Sequence, residues 1–245
     1  MRFARGLAFV FRESWAFLRN GWWVAIIPSL PIPAYRLTAE WLPTNWDDAA
    51  FWGSRALAAS LPAALAYCVV RFVALQHDFA AALSVNRASV RTFLPYLAVM
   101  TLINFGVSVA PIYSADIGTF LASLVVGLLV LPLLSPWTIT APSGSTVIGP
   151  VQSTKLVLPH LLWAAVFMLA VLIPIGVLQT FSNFSLYLLS GAPLSEQTQP
   201  NVLPIAIDAL FNAYGELIFI IAQFVIALRA GVRVSQERTL TSVFE

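Results

Sequence analysis

Four polar side chains that can carry chemistry recur at helical spacing in one apolar stretch near the end of the chain: Asp208, Asn212, Glu216 and Gln223. On an ideal helix they fall within an arc of about 80°. Glu216 follows Pro204 by twelve residues, or about 18 Å of helix, close to the middle of a bilayer. A charged group at that depth costs about 2.5–3.5 kcal/mol, so we expect it to face the bundle interior or a wet cavity.

This polar face has two interpretations. It forms a path for protons or a solute, or it forms a hydrogen-bonded seam between helices, with Asn104, Gln179 or Asn183 as partners. Interhelical hydrogen bonds in membranes contribute about 0.6 kcal/mol each on average. We favour the seam, and contact with a partner protein is a third interpretation.

Two histidines, His77 and His160, fall near the same end of the predicted spans. Histidines at similar depth are potential ligands for haem or a pigment, although interfacial capping is the commoner role. The sequence contains no metal-site spacing, phosphate-binding glycine loop or nucleophilic triad, and Cys68 is its single cysteine. We therefore expect no cofactor, no metal and no enzymatic activity.

The elements that position these residues follow from composition. Of the 245 residues, 59% are hydrophobic and 10% are charged, and the mean hydropathy is +0.84. Soluble domains carry roughly 25% charged residues. In lipid the backbone must satisfy its own hydrogen bonds, and these stretches do not alternate as barrel strands do. The sequence predicts an all-α, polytopic membrane protein with one domain over residues 1–245.

Hydropathy predicts six transmembrane helices of about 20 residues, each long enough for a ~30 Å hydrocarbon core. The predicted spans are 22–37, 55–76, 93–113, 118–140, 160–181 and 205–230. Pro28, Pro31 and Pro33 interrupt the first, where we expect a broken or short helix. In the loop 40–54 we expect a short surface helix capped by Thr44 or Asn45.

The cations segregate by side. If the N-terminus is cytoplasmic, 11 of the 13 Lys and Arg lie on or near the inner face, and only Arg36 and Arg55 lie outside. This is the positive-inside pattern. It predicts a membrane protein with both termini in the cytoplasm. Arg71, near the inner end of its span, is expected to snorkel to the interface or, less plausibly, to pair with Glu216 or Asp78.

Residues 1–20 are predicted to form an amphipathic helix. Its cations fall within an arc of about 100°, and they are Arg2, Arg5, Arg12 and Arg19. The opposite side carries Phe3, Leu7, Val10, Phe11 and Leu18. We expect an interfacial helix whose basic face contacts anionic lipid, with Trp15, Trp22 and Trp23 as an aromatic belt. A soluble helix packed on a partner is the alternative.

Three segments at the inner face share a pattern and suggest an internal repeat. Each has a serine, an apolar residue four positions later, and a helix breaker two positions beyond that. The serines are Ser14, Ser89 and Ser153. We expect an amphipathic lead-in, a kink and a transmembrane hairpin, repeated three times; chance similarity is the alternative.

The third segment and the stretch before it resemble a bacterial six-helix membrane family, which includes the membrane domain of some glycerophosphodiester phosphodiesterases and its stand-alone relatives. The similar features are Pro136–Pro142, the Gly149-Pro150 turn, Ser153, the stretch Leu228–Arg233 and Glu237. The chain departs from that family at Leu158-Pro159-His160, where basic residues and glycine are usual. The resemblance implies a six-helix fold and no activity, because the catalytic domain has no counterpart here.

The sequence therefore favours a non-enzymatic scaffold or accessory subunit of a larger membrane complex, with membrane lipids and other subunits as partners and no nucleic acid. The alternative is a small transporter or lipid-handling protein that uses the polar face of the sixth span.

Overall fold

The computed structural model describes residues 3–113, 118, 122, 125–143, 147–190 and 202–232, with only the backbone described at 44, 110–113, 183, 184 and 186–190. All regular structure within these residues is helical. The helices are α1 Phe3–Ile26, α2 Pro31–Thr38, α3 Thr44–Ala74, α4 Phe79–Leu83, α5 Arg87–Tyr113, α6 Val126–Leu133, α7 Ser135–Thr140, α8 Pro150–Val157, α9 Leu161–Ser190 and α10 Val202–Arg229.

Four helical segments in the described part of the chain are long and apolar enough to cross a membrane. They are Asn45–Ala74, Arg87–Val109, Pro150–Ser182 and Val202–Arg229. A fifth span results if α6 and the segment Ser135–Ser143, which are bent by 53° relative to each other, count as one broken span. The described part of the chain is thus all-helical with four or five such spans, which is compatible with a multi-pass membrane protein.

The predicted first span, 22–37, does not form one transmembrane helix. Helix α1 continues to Ile26, with non-helical backbone angles at Gly21, and a 3-10 turn Ile27–Ser29 separates it from α2. Pro28 and Pro31 lie at the starts of the turn and of α2, where a missing amide donor is tolerated. The expected interruption is confirmed, and a continuous span over these residues is excluded.

Helix α3 begins earlier than predicted. It runs for 31 residues from Thr44, so the expected surface helix in 40–54 is the first part of α3 itself. Neither Thr44 nor Asn45 caps it, because the capping position is Pro43. At 1.5 Å per residue α3 is about 46 Å long, more than a hydrocarbon core requires. Tyr35 on α2 donates a hydrogen bond to Asp47 at 2.8 Å, which attaches α2 to this extension.

Helix α10 is the centre of the bundle and packs against α1, α3, α7 and α9. Its second half is buried, with Leu217, Ile221 and Val225 inaccessible to solvent. Gly6 on α1 allows a close approach, since a Cβ there would lie 3.2 Å from a methyl group of Val225. Helix α1 therefore packs closely on the buried half of α10, towards the predicted cytoplasmic side.

Helix α1 divides its surface into three stripes rather than two. One stripe is buried against the bundle and contains Val10, which the sequence placed on the outward apolar side. Phe3 also packs inward, edge to face against Trp163 and Phe167. The exposed surface carries a cationic stripe, Arg5, Arg12 and Arg19, and an apolar stripe, Phe11, Trp15 and Trp22. Arg2 lies outside the described residues.

The three serines of the suspected repeat are all buried. A break follows the first at Gly21 and the third at the 3-10 turn Leu158–His160. Pro95 in the second segment lies within α5, which continues through this position without a break. The repeat thus holds for the serine position and only partly for the break.

Candidate functional site

Two cavities adjoin α10 in its first half. The arginine cavity, about 280 Å³, lies among the turn Ile27–Ser29, α2, α3 and α10, and Arg36 and Arg55 line it. The amide cavity, about 390 Å³, lies among α5, α6, α9 and α10, and Asn104 and Gln179 line it. The bundle is therefore open on two sides of the same helix segment.

Glu216 lines both cavities, and so does Asn212 one turn earlier. The side chain of Glu216 is half-buried. Among the described residues no group donates a hydrogen bond to its carboxylate, although carboxylates at such depth normally have partners. The expectation that Glu216 faces the interior is supported, and its oxygens are available to a molecule in either cavity.

Asp208 belongs to a seam between helices. The side-chain amide of Gln179 on α9 donates a hydrogen bond to its Oδ1 at 3.0 Å. This is the kind of interhelical contact that the seam interpretation predicts, and Gln179 is one of the partners that it names. Asp208 also lines the arginine cavity, so the bond holds its carboxylate at the cavity wall.

Gln223 is separate from the cavities, contrary to a single continuous path along α10. It is 2% exposed, and the hydroxyl of Thr138 on α7 donates a hydrogen bond to its Oε1 at 2.6 Å. The helices pack closely around Gln223, because every residue of α7 is buried against its neighbours. The predicted face therefore divides into a cavity-lining part, Asp208 to Glu216, and a buried seam at Gln223.

Two other predicted seam partners behave differently. Asn104 on α5 donates to the backbone oxygen of Ala59 on α3 at 3.1 Å, so it connects those two helices instead of contacting Glu216. The side chain of Asn183 lies outside the described part of the structure. The amide of Asn104 also lines the amide cavity.

The arginines of the arginine cavity are functional candidates that sequence reasoning did not select. Arg55 reaches α5 through a 3.5 Å contact to the oxygen of Ser108, and its guanidinium lies 5.4 Å from the centre of the Phe51 ring. Arg36 lines the same cavity from α2. The signal was available, because these are the only two cations that the positive-inside pattern left outside.

A second polar cluster lies at the predicted cytoplasmic face. Glu13 is 3% exposed, and its carboxylate contacts His77 Nε2 at 2.5 Å and Arg12 at 2.9 Å. The imidazole stacks on Phe72 with ring centres 5.0 Å apart. Gln76 and His77 have φ of 54° and 72°, and the N–H of His77 donates to the oxygen of Phe72, which closes the C-terminus of α3.

The histidine-ligand interpretation gains no support from this geometry. His77 uses Nε2 to contact Glu13, whereas His160 ends the turn before α9. No group of three metal-ligating side chains occurs among the described residues. A haem or pigment bound at His77 Nε2 would have to displace a buried carboxylate.

Arg71 holds together the loop that follows α3 and contacts neither Glu216 nor Asp78. It donates to the oxygen of Ala81 at 2.9 Å and to the hydroxyls of Ser84 and Ser89 at 3.0 and 3.3 Å. Asp78 instead caps α4 through the amide of Ala81. Arg71 thus has a structural role, which no pattern in the sequence indicated.

Chemically, the two cavities offer guanidinium, carboxylate and amide groups that suit binding of a small polar molecule.

The resemblance to the phosphodiesterase membrane domain stays a prediction, and Glu237, one of its similar features, lies outside the described residues. Comparison of the chain with protein-family models, with curated proteins and with solved structures found no match.

Proposed function

We propose that the chain is a non-enzymatic integral membrane protein that takes a small polar solute or a lipid headgroup into the cavities beside α10. The observation that carries this proposal is Glu216, which lines both cavities and has no hydrogen-bonding partner among the described residues. An ionisable group within a membrane span is rare and costly, and such groups often mark a pathway or a ligand site. Passage between the cavities would bring the solute past Glu216, with a proton exchanged at its carboxylate.

The proposed setting is a bacterial inner membrane with both termini in the cytoplasm and six passages of the chain. In this arrangement the broken segment 22–37 makes the first passage, and α6 and α7 belong to the fourth. The exposed Arg5, Arg12 and Arg19 would contact anionic headgroups, while Phe11, Trp15 and Trp22 enter the interface. The resemblance to the six-helix family agrees with this setting.

A second candidate function is that of a scaffold or accessory subunit. Only 17% of the most apolar part of Arg87–Val109 and 28% of that of Pro150–Ser182 is buried inside the bundle, against 61% of that of Val202–Arg229. Two spans therefore present most of their surface outward, to lipid or to other membrane subunits.

Proton flux into proteoliposomes containing an entrapped pH dye tests the first candidate. Glu216→Gln keeps the size of the side chain and removes its titration, so we expect at least a tenfold slower flux under an imposed pH gradient. Glu40→Gln, at an exposed position outside the cavities, is the matched control and should leave the flux unchanged.

Purification of the same variants from native membranes distinguishes the second candidate. If the wild-type chain and Glu216→Gln both retain one stoichiometric partner, and flux is the same in both, the accessory-subunit function stands and the transport function is wrong.

A further inference from the structure

The arginine cavity brings groups of opposite charge to one space. Arg36 and Arg55 line it from α2 and α3, and Asp208 and Glu216 line it from α10. Gln179 holds the carboxylate of Asp208 at the wall. Neither arginine forms a salt bridge within the described residues, and neither does Glu216. We propose that its ligand is a zwitterion, with a phosphate or carboxylate group held by the two arginines and a primary amine held at Glu216. This inference rests on the proposed function and specifies its ligand.

The two arginines create the anion-binding end. Both line the same cavity, and like charges that share one cavity repel each other. The Phe51 ring and the oxygen of Ser108 hold the guanidinium of Arg55 in place. An anion between two guanidinium groups offsets the repulsion and receives paired N–H donors, a geometry that suits phosphate and carboxylate.

The amine-binding end combines Glu216 with a backbone acceptor. Pro62 lies inside α3 and has no N–H, so the oxygen of Ala58, four residues earlier, lacks its usual helical donor. Ala58 and Pro62 both line the arginine cavity. An ammonium group carries three donors and no acceptor, and a carboxylate together with carbonyl and amide oxygens satisfies them. Asn212 supplies such an amide oxygen.

The size of the cavity limits the ligand. About 280 Å³ is near the lower end of the range for small-molecule sites, about 300–1,000 Å³. That volume suits a headgroup or a metabolite of similar size and excludes acyl chains. The same chemistry has two sources, the phosphoethanolamine headgroup of a membrane lipid and a free amino phosphate or amino acid.

Thermal unfolding of the purified full chain in detergent, followed by tryptophan fluorescence, tests the proposal. The probes are O-phosphoethanolamine and dihexanoyl phosphatidylethanolamine, with ethyl phosphate and ethanolamine as the half-ligands. We expect at least one zwitterion to raise the Tm with an apparent affinity at least tenfold tighter than either half-ligand. A response to the free compound identifies a soluble ligand, and a response to the lipid alone identifies a headgroup.

Variants assign the two ends. Arg55→Gln should weaken the zwitterion at least tenfold, and Glu216→Gln should reduce its affinity to that of ethyl phosphate. Arg87→Gln, at an exposed position at the start of α5 and outside the cavities, should have no effect. If Arg55→Gln does not fold, the exposed Arg36 gives the alternative variant Arg36→Gln. Ethyl phosphate binding as well as the zwitterions, or no response to either zwitterion, would overturn the proposal.

Different results would contradict the zwitterionic ligand and the transport function. Flux that depends on Glu216 without any zwitterion binding refutes the ligand class and leaves the function. Zwitterion binding that depends on Arg55 and Glu216, without any effect of Glu216→Gln on flux, refutes transport and leaves the ligand class.

Discussion

Ser153 illustrates how one side chain can support a break in a membrane helix. Its hydroxyl donates to the oxygen of Leu133 at 2.8 Å and accepts from the N–H of Trp137 at 3.2 Å. These backbone groups lie on either side of the 53° bend between α6 and α7. A buried backbone group without a partner is expensive, so the serine stabilises the bend from the neighbouring α8.

Ser153→Ala should therefore destabilise the chain. The substitution leaves two backbone groups without a partner, and each costs about 1–3 kcal/mol when buried. Unfolding in detergent by a graded denaturant measures the change. Thr154→Ala is the control, because the hydroxyl of Thr154 bonds only within its own helix at a partly exposed position. Equal stability of both variants would contradict the role given to Ser153.

At this scale the sequence locates residues better than their partners. The position of Glu216 along α10 follows from its spacing to Pro204 and from the helical rise. The partners of Asp208, Gln223 and Asn104 depend on which helices approach one another, and the sequence of a single helix does not contain that information. The Glu13–His77 contact joins positions 64 residues apart and has no local signal.

Among the elements, the break within α1 depends on the absence of a side chain at Gly21. A Cβ there would overlap the ring of Phe79. That ring packs edge to face against Phe17 and Phe72, so it has little freedom to move. The glycine thus allows α1 to lie directly against α4, which carries Phe79.

Gly21→Ala should destabilise the chain by about 1–3 kcal/mol through overpacking. Gly53→Ala makes the opposite change, because Gly53 lies inside α3 and an added methyl group would meet no atom within 4 Å. Helix propensity then favours alanine by about 0.8–1.0 kcal/mol. Thermal unfolding of both variants measures the contrast, and a loss of similar size in both would show that neither effect depends on Phe79.

Hydropathy locates the apolar helices well because length and composition decide them. The predicted spans 160–181 and 205–230 begin within about three residues of α9 and α10. Hydropathy fails at α3, where Asp47 and Asp48 lower the local average although the helix continues beyond the apolar region. It also does not reveal that Pro95 lies in an unbroken helix whereas Gly21 is non-helical.

For the whole molecule, α3 separates two exposed sites that test the orientation. Trp41 precedes it and is 84% exposed, and Val85 follows it and is 77% exposed. In a Cys68→Ala background, a membrane-impermeant maleimide should label Trp41→Cys in intact cells. It should label Val85→Cys only after the membrane is permeabilised, because the cation distribution places that loop in the cytoplasm. The reverse result, or equal labelling, contradicts the proposed topology.

The cation distribution predicts sides, and it says nothing about which helix occupies the centre. Helix α10 is central because its buried surface consists mainly of small and apolar residues. Helices α1, α3, α7 and α9 all pack against it. The cavities arise where those neighbours diverge. Neither property is visible in a count of charges.

The turn at Gln76 and His77 is connected to helix α1 through the contact between His77 and Glu13. A residue other than glycine in this backbone region costs roughly 1–2 kcal/mol, and here two occur in succession. The imidazole offsets part of that cost by its contact with Glu13, which belongs to the helix whose arginines are exposed. Lifting α1 from the bundle would therefore relax the turn, and reshaping the turn would loosen α1. The coupling is reciprocal, so any surface that displaces the amino-terminal helix also changes the conformation of the loop after α3.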